Sequence, residues 1–397
     1  MSNESILLEQ ARSLISQSEG QTFGQFLKSK LADRDISERQ LANILGMELL
    51  SVQRILNDVA KKIDAKTLLQ LSEFLGIDPK VLLSVYVSSA SSEDSDSIVR
   101  ARKAGFLTEY LDLKKLKEIG FIQDIRDYDT IEKRLLSFFN ISSLGEYAAM
   151  HSLPLFSRTR GKKSDRMLTF WLSIVNARMQ SINNPNPFDS DRLEKIIPLF
   201  RAATTDVANG FKSAIRTLYD CGVTVIVESY LTTTSIRGGT FIKNGQPYIF
   251  LTKHPDWYDT LWFALLHELS HVLFDMEVLR KGTGTHLSGE ANLFEDPLLE
   301  PRADEFAVQL LLTKERLEYA KTIIHIDGFV KSVANEWNVH PSIIYGMHCY
   351  KHPEDFVKYQ RYRLKADEAL KFNYTSWQKP TLQETVPEIE KSFALQS

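Results

Sequence analysis

Cysteine is nearly absent from this chain. The 397 residues contain two, Cys221 and Cys349, far apart in sequence, which excludes a disulfide framework and suits a reducing compartment. A dominant charge is missing too. With 48 basic residues against 51 acidic ones the net charge is −3, so any nucleic-acid binding must come from a local patch. Long apolar runs are missing as well: the longest, "LWFALL", is far too short to cross a bilayer. The opening "MSNESILLEQ" lacks the basic-then-apolar pattern of a signal peptide, and a cytoplasmic protein is expected. No internal repeat or long low-complexity tract is present. What remains is an ordinary globular composition, 43% hydrophobic and 25% charged, in a chain long enough for two or three domains.

The clearest boundary is "SSASSEDSDS" at 88–97, serine- and acid-rich without periodicity, which reads as a flexible linker. Composition divides the chain into an extension (1–20), a compact helical module (21–87), a linker (88–100), a helical connector (101–190), a mixed domain (191–320) and a mostly helical C-terminal region (321–397). Within the mixed domain the helix around "GFKSAIRTLYDCG" stops at Gly222. "VTVIVES" (223–229) reads as a strand. "TFIKNGQPYIFLT" (240–252) reads as a hairpin turning at Asn244-Gly245. Pro247 cannot donate to a ladder, which places it at an open sheet edge. That edge could take up an extended peptide by strand addition, making the substrate a protein. A glycine-containing loop is expected over 282–299.

The segment "ALLHELSHVLF" (264–274) poses the central question. An all-round apolar helix is buried, and burying His267, Glu268 and His271 without partners would cost several kcal/mol, roughly 2–7 per polar group. Four residues apart on a helix, His267 and His271 project from one face and can present two nitrogens to one zinc ion. Glu268 is rotated aside, where it can act on water. A catalytic zinc needs a third protein ligand. The candidate lies in "EPRADEFAVQLLL" (300–312), where Glu300 and Asp304 share one helix face. Glu300 can ligate the ion while Asp304 accepts the second ring N–H of a ligand histidine. Imidazoles with a carboxylate suit Zn²⁺. Such an ion would activate water and polarise a scissile carbonyl, with Glu268 passing the proton to the leaving amine. His286 and Tyr230 are candidate stabilisers of the tetrahedral intermediate.

"HELSH" followed by "EPRADEFAVQLLL" resembles the ImmA/IrrE family of zinc metallopeptidases, whose pattern is HExxH and then E-x-x-A-(N/D)-x-F-A-x-x-L-L. The resemblance implies that His267, His271 and Glu300 are zinc ligands, that Glu268 is the catalytic glutamate, and that Asp304 stands behind a ligand. Thr313 departs from the family, which often places proline there. The wider stretches "PFDSDRLEKIIPLFRAAT", "YDCGVTVIVESYL" and "NVHPSIIYGM" resemble bacterial fusions of such a peptidase with a helix-turn-helix domain. The resemblance implies a toxin–antitoxin, mobile-element or stress-response setting and cleavage of a regulatory protein such as a transcriptional repressor.

The N-terminal module fits that fusion. Ser37 is a good N-cap for a helix ending near Gly46, and a second helix follows from about Glu48 to Asn57. That is helix-turn-helix geometry, and it resembles the lambda-repressor-like (XRE) class, notably antitoxins related to HigA. Arg39 and Gln40 would sit near phosphates. Ser51, Gln53, Arg54 and Asn57 could face double-stranded DNA, supported by Lys61, Lys62 and Lys66, in a dimer. A helical bundle used for dimerisation is the other reading, because acids nearly balance bases over 28–66. His340, His348, His352 and Cys349 fit no closed zinc pattern and read as structural, and Phe138, Phe139 and "LTFWL" read as core. The expected fold is multidomain and mainly α, a helix-turn-helix bundle followed by an α+β zincin-like (gluzincin-type) peptidase domain. The expected function is a zinc endopeptidase acting on one regulatory protein. The alternative is a DNA-binding regulator whose zinc site is structural or sensory.

Overall fold

The computed structural model describes residues 21–60, 62–89, 92–151, 166–228, 231, 236–252, 256–281, 285–289, 299–370 and 378–393. The expected 1–20 extension lies outside them. The chain divides into two compact units after Gly105. No helix among the described residues is long and apolar enough to cross a membrane.

The first unit holds α1 (Phe23–Ala32), α2 (Glu38–Leu45), α3 (Leu49–Leu56), α4 (Ala65–Leu75), α5 (Pro79–Ser89) and the start of α6 (Ser92–Tyr110). Ser37 caps α2 in a capping box with Gln40, and Gly46 ends that helix in the left-handed region at φ 64°. The α2–α3 turn is therefore set by local chemistry. α1 crosses α3 closely at Gly24, where a Cβ would stand 2.3 Å from the Leu56 carbonyl oxygen. Phe26, Leu27, Leu41, Val52, Leu56, Leu71 and Leu82 form the core. The 88–97 stretch differs from the linker expected there, because Ser89 closes α5 and α6 begins at Ser92.

The second unit continues with α7 (Leu113–Glu118), α8 (Tyr128–Phe139), α9 (Leu144–Met150), α10 (Arg166–Ser181), α11 (Ser190–Ile196), α12 (Phe200–Ala203) and α13 (Gly210–Asp220). Then come β1 (Thr224–Glu228), β2 (Ile236–Lys243), β3 (Gln246–Thr252), α14 (Tyr258–Phe274), α15 (Met276–Lys281), β4 (Thr285–Gly289) and α16 (Leu299–Leu311). The chain closes with α17 (Lys314–Ile323), α18 (Asp327–Trp337), α19 (Pro341–Lys351), α20 (Phe356–Tyr359) and α21 (Val386–Phe393). One continuous core runs from Leu107 to Phe393 and takes in Phe138, Phe139, Phe170 and Trp171. The stretches 101–190, 191–320 and 321–397, separated by composition, thus share a single interior.

The sheet order is β1-β3-β2-β4, with β1 parallel to β3 and both other pairings antiparallel. Asn244 and Gly245 turn the β2–β3 hairpin with φ of 52° and 80°. Two expectations fail here. Pro247 lies on an interior strand, because β3 is flanked by β1 and β2; it is tolerated because pairing with β1 begins one residue later, at Tyr248 opposite Thr224. The hairpin also has no open edge, since residues 285–289, expected within a loop, form β4 and cover β2.

α14 lies across β2 and β3 and packs on α16 and α19, which is why its sequence is apolar all round. Its N-terminus is tied to the C-terminal region. Asp259 accepts a fork from Arg363 at 3.1 and 2.6 Å, and the Tyr258 N–H bonds the Leu364 carbonyl at 2.9 Å.

Candidate metal centre

His267 and His271 come from adjacent turns of α14, and Glu300 from the first turn of α16. The three bring one ligand atom each to a common point. His267 Nε2 lies 3.3 Å from His271 Nε2 and 3.3 Å from Glu300 Oε2, and His271 Nε2 lies 3.3 Å from Glu300 Oε1. Among the described residues this is the one group of three or more such side chains able to hold a metal ion.

The outer ring nitrogens are spoken for. His267 Nδ1 donates to Asp304 Oδ1 at 2.9 Å, and His271 Nδ1 donates to Asp275 Oδ2 at 2.9 Å. With a metal bound, the carboxylate partners would keep each ring proton on Nδ1 and the two Nε2 lone pairs would converge on the ion. Asp304 also accepts from the Tyr350 hydroxyl at 2.6 Å, and Asp275 pairs with Arg302. Glu268 is 1% exposed and accepts from Thr240 Oγ1 at 2.7 Å through Oε2. β2 supplies that hydroxyl, and Gly238 two residues earlier leaves room for the carboxylate: a Cβ there would stand 2.8 Å from Glu268 Oε1.

The electrostatics call for a cation. Glu268, Asp275, Glu300 and Asp304 crowd two buried imidazoles. Burial works against a charged His267, yet hydrogen bonds to Asp304 and Glu300 outweigh it and raise the ring to about 10. His271 is raised for the same reasons, with Asp275 and Glu300 acting against burial. Asp275 is buried and Asp304 partly so, which favours their neutral forms, but their histidine partners hold both carboxyls below the usual range. The donor set also fits zinc in size. A tetrahedral ion bonded at about 2.0–2.1 Å holds its ligand atoms roughly 3.3–3.4 Å apart.

The five residues expected at the centre, His267, Glu268, His271, Glu300 and Asp304, are brought together. Tyr230 lies outside the described residues. His286 sits on β4 with its backbone paired to Thr240, and its side chain is outside what is described. Sequence reasoning missed Asp275, Tyr350 and Thr240. Asp275 had a legible signal, standing four residues after His271 at the helix end, whereas Tyr350 and Thr240 arrive from distant segments. His340 and His348 hold structural positions: His340 caps α19 and His348 bonds Asp355 at 2.9 Å. Cys349 is buried, which pushes its thiol up to about 11. Thr313 is the N-cap of α17, a helix start that needs no proline.

In the first unit Arg39, Arg54 and Lys62 are exposed, and Ser51, Arg54 and Lys62 line a groove of about 630 Å³ with Met47 and Val59. Gln40 is engaged in the α2 cap, Gln53 donates to Glu38 at 2.9 Å, and Asn57 accepts from Lys28 at 2.7 Å. Lys61 lies outside the described residues.

The site and fold together define a metallopeptidase-type domain behind a helix-turn-helix domain. Residues 221–345 match the IrrE N-terminal-like domain, and residues 27–86 match the Cro/C1-type HTH DNA-binding domain, so the chain is a fusion of these two. No curated protein and no solved structure matches it.

Proposed function

We propose that this protein is a zinc-dependent endopeptidase that cleaves one regulatory protein, a transcriptional repressor or an antitoxin-type partner, and that its first unit binds double-stranded DNA. The observation carrying the peptidase reading is the convergence of His267 Nε2 and His271 Nε2, 3.3 Å apart, on the Glu300 carboxylate, which places one oxygen 3.3 Å from each nitrogen, close to the ligand spacing of a tetrahedral zinc. Zinc bound there supplies Lewis acidity toward water and a peptide carbonyl. The chain's own residues do the rest. Thr240 holds Glu268 Oε2, and Oε1 is the atom left to take a proton from the attacking water and return it to the leaving amine. Asp304 and Asp275 keep both imidazoles aimed inward. In the first unit Arg39, Arg54 and Lys62 supply exposed positive charge for phosphates, with Ser51 beside them.

Replacing Glu268 with glutamine separates this reading from that of a regulator with a structural zinc. Glu268→Gln keeps the metal but removes the proton acceptor, and cleavage should fall by about 10²–10⁴-fold. New protein N-termini are counted in cells producing either form, and zinc content is measured on each purified protein. New termini seen with the native chain and lost with Glu268→Gln support the peptidase. Equal profiles with full zinc in both would leave the metal a structural role.

A further inference from the structure

Leu50 is 56% exposed and is the second residue of α3, the second helix of the helix-turn-helix. A single exposed leucine is ordinary on a protein surface. Its company is not. Val52, Ile55 and Leu56 are buried and fix which side of α3 meets the core of the first unit. At about 100° per residue, Leu50, Arg54 and Asn57 fall together on the opposite side, and Arg54 and Asn57 are exposed. The amide groups there are committed within the protein. Gln53 donates to Glu38 on α2 at 2.9 Å, and Asn57 accepts from Lys28 on α1 at 2.7 Å. The outward side of α3 thus begins with an apolar residue and continues one turn later with a cation.

In a helix-turn-helix the second helix lies in the major groove, and residues at its N-terminal end meet base edges. Residues 27–86 match the Cro/C1-type domain, which puts Leu50 at that end. A leucine side chain has neither donor nor acceptor. The major-groove edges present N7, O6, O4 and amino groups, and covering any of these with leucine strips its water without replacing it. The C5-methyl of thymine is the one methyl group on those edges.

We propose that Leu50 is a sequence-reading residue that packs on the C5-methyl of a thymine in the major groove of the operator. The assignment rests on the DNA-binding reading above and adds the base chemistry that reading lacks. Arg54, one turn further along the same side, holds this face to the phosphates. The discrimination has two parts. A thymine methyl beneath Leu50 leaves water, worth roughly a 4-fold gain in affinity per methyl. A base that puts a donor or acceptor beneath the same side chain is penalised.

The full-length protein is used to enrich binders from a library of random duplexes. Each thymine of an enriched duplex is then replaced by uracil, which deletes the methyl and nothing else. Affinities of the native protein and Leu50→Ala are measured by fluorescence anisotropy at one fixed salt concentration, because phosphate contacts make binding salt-dependent. Leu50 is exposed, so Leu50→Ala should keep the native unfolding midpoint. The expected result is a thymine at which uracil weakens the native protein by about 4-fold per methyl removed and leaves Leu50→Ala unchanged. No loss at any uracil, or equal losses in both proteins at every one, overturns the role of Leu50 while DNA binding stands. Loss of self-association by Leu50→Ala in sedimentation, with the uracil response intact, also overturns it and makes Leu50 a contact between copies. Enrichment of no duplex overturns the proposal together with the DNA-binding reading.

Discussion

Asp275 receives the Nδ1 proton of His271 at 2.9 Å and is itself 2% exposed, so the imidazole has one orientation available. Asp304 does the same for His267 from a different helix. Partners of this kind raise the basicity of a ligand histidine and fix its lone pair, and removing one typically costs 10–100-fold in metal affinity, to order of magnitude about 1.4–2.7 kcal/mol. Asp275→Ala should therefore bind zinc about 10–100-fold more weakly than the native chain. Titration against a competing chelator measures this, and unchanged affinity would show that the helix alone orients His271. The two carboxylates were unequally visible in the sequence. Asp304 was found because it shares a motif with Glu300, and Asp275 was overlooked although it follows His271 by one helical turn. Tyr350 was out of reach for a different reason: its hydroxyl meets Asp304 only because α19 and α16 both pack on α14, which no local pattern records.

At the scale of elements, two glycines mark where strands and helices approach too closely for a side chain. Gly238 on β2 faces the end of Glu268, with Oε1 at 2.8 Å from where a Cβ would stand. Gly346 on α19 faces Asp259, with Cγ and Oδ2 both at 2.1 Å from the corresponding position. The consequences differ because the neighbours differ. Glu268 can swing away by rotating its side chain, while Asp259 is locked by the Arg363 fork and by Ser342. Gly238→Ala should thus lose about 1 kcal/mol, since the Phe250 carbonyl at 3.1 Å must also give a little, keep its zinc, and lose most proteolysis as Glu268 is displaced. Gly346→Ala should lose roughly 1–3 kcal/mol or more, seen as a lowered denaturant midpoint. A Gly238→Ala protein with full activity would mean the carboxylate has another productive position. Much at this scale was legible: the Asn244-Gly245 turn, the Ser37 cap, and the helices bearing both motifs follow from neighbouring residues. The sheet was not. Strand order depends on which distant segments meet, so β1 joining β3 in parallel and β4 covering β2 left no trace in any short window.

Across the whole molecule, the site depends on residues well outside the stretch matching the IrrE N-terminal-like domain. Arg178 on α10 and Glu228 at the end of β1 form an ion pair at 3.3 Å, with side chains 1% and 0% exposed. Arg178 also donates to the Leu382 carbonyl at 2.8 Å, so one guanidinium joins the connector, the sheet and the C-terminal region. Two charges buried this deeply are costly to separate. Removing one partner strands the other in a medium where it cannot be hydrated, at roughly 3–5 kcal/mol, whereas replacing both with apolar residues of similar volume is often neutral. Arg178→Ala should therefore be destabilised by about 3–5 kcal/mol, and Arg178→Met combined with Glu228→Leu should recover most of that loss. Because one core runs from Leu107 to Phe393, unfolding followed by circular dichroism and by zinc release should give coincident transitions for the second unit in each variant. Zinc release well before loss of helix in Arg178→Ala would instead show that the connector folds independently of the sheet that carries Thr240.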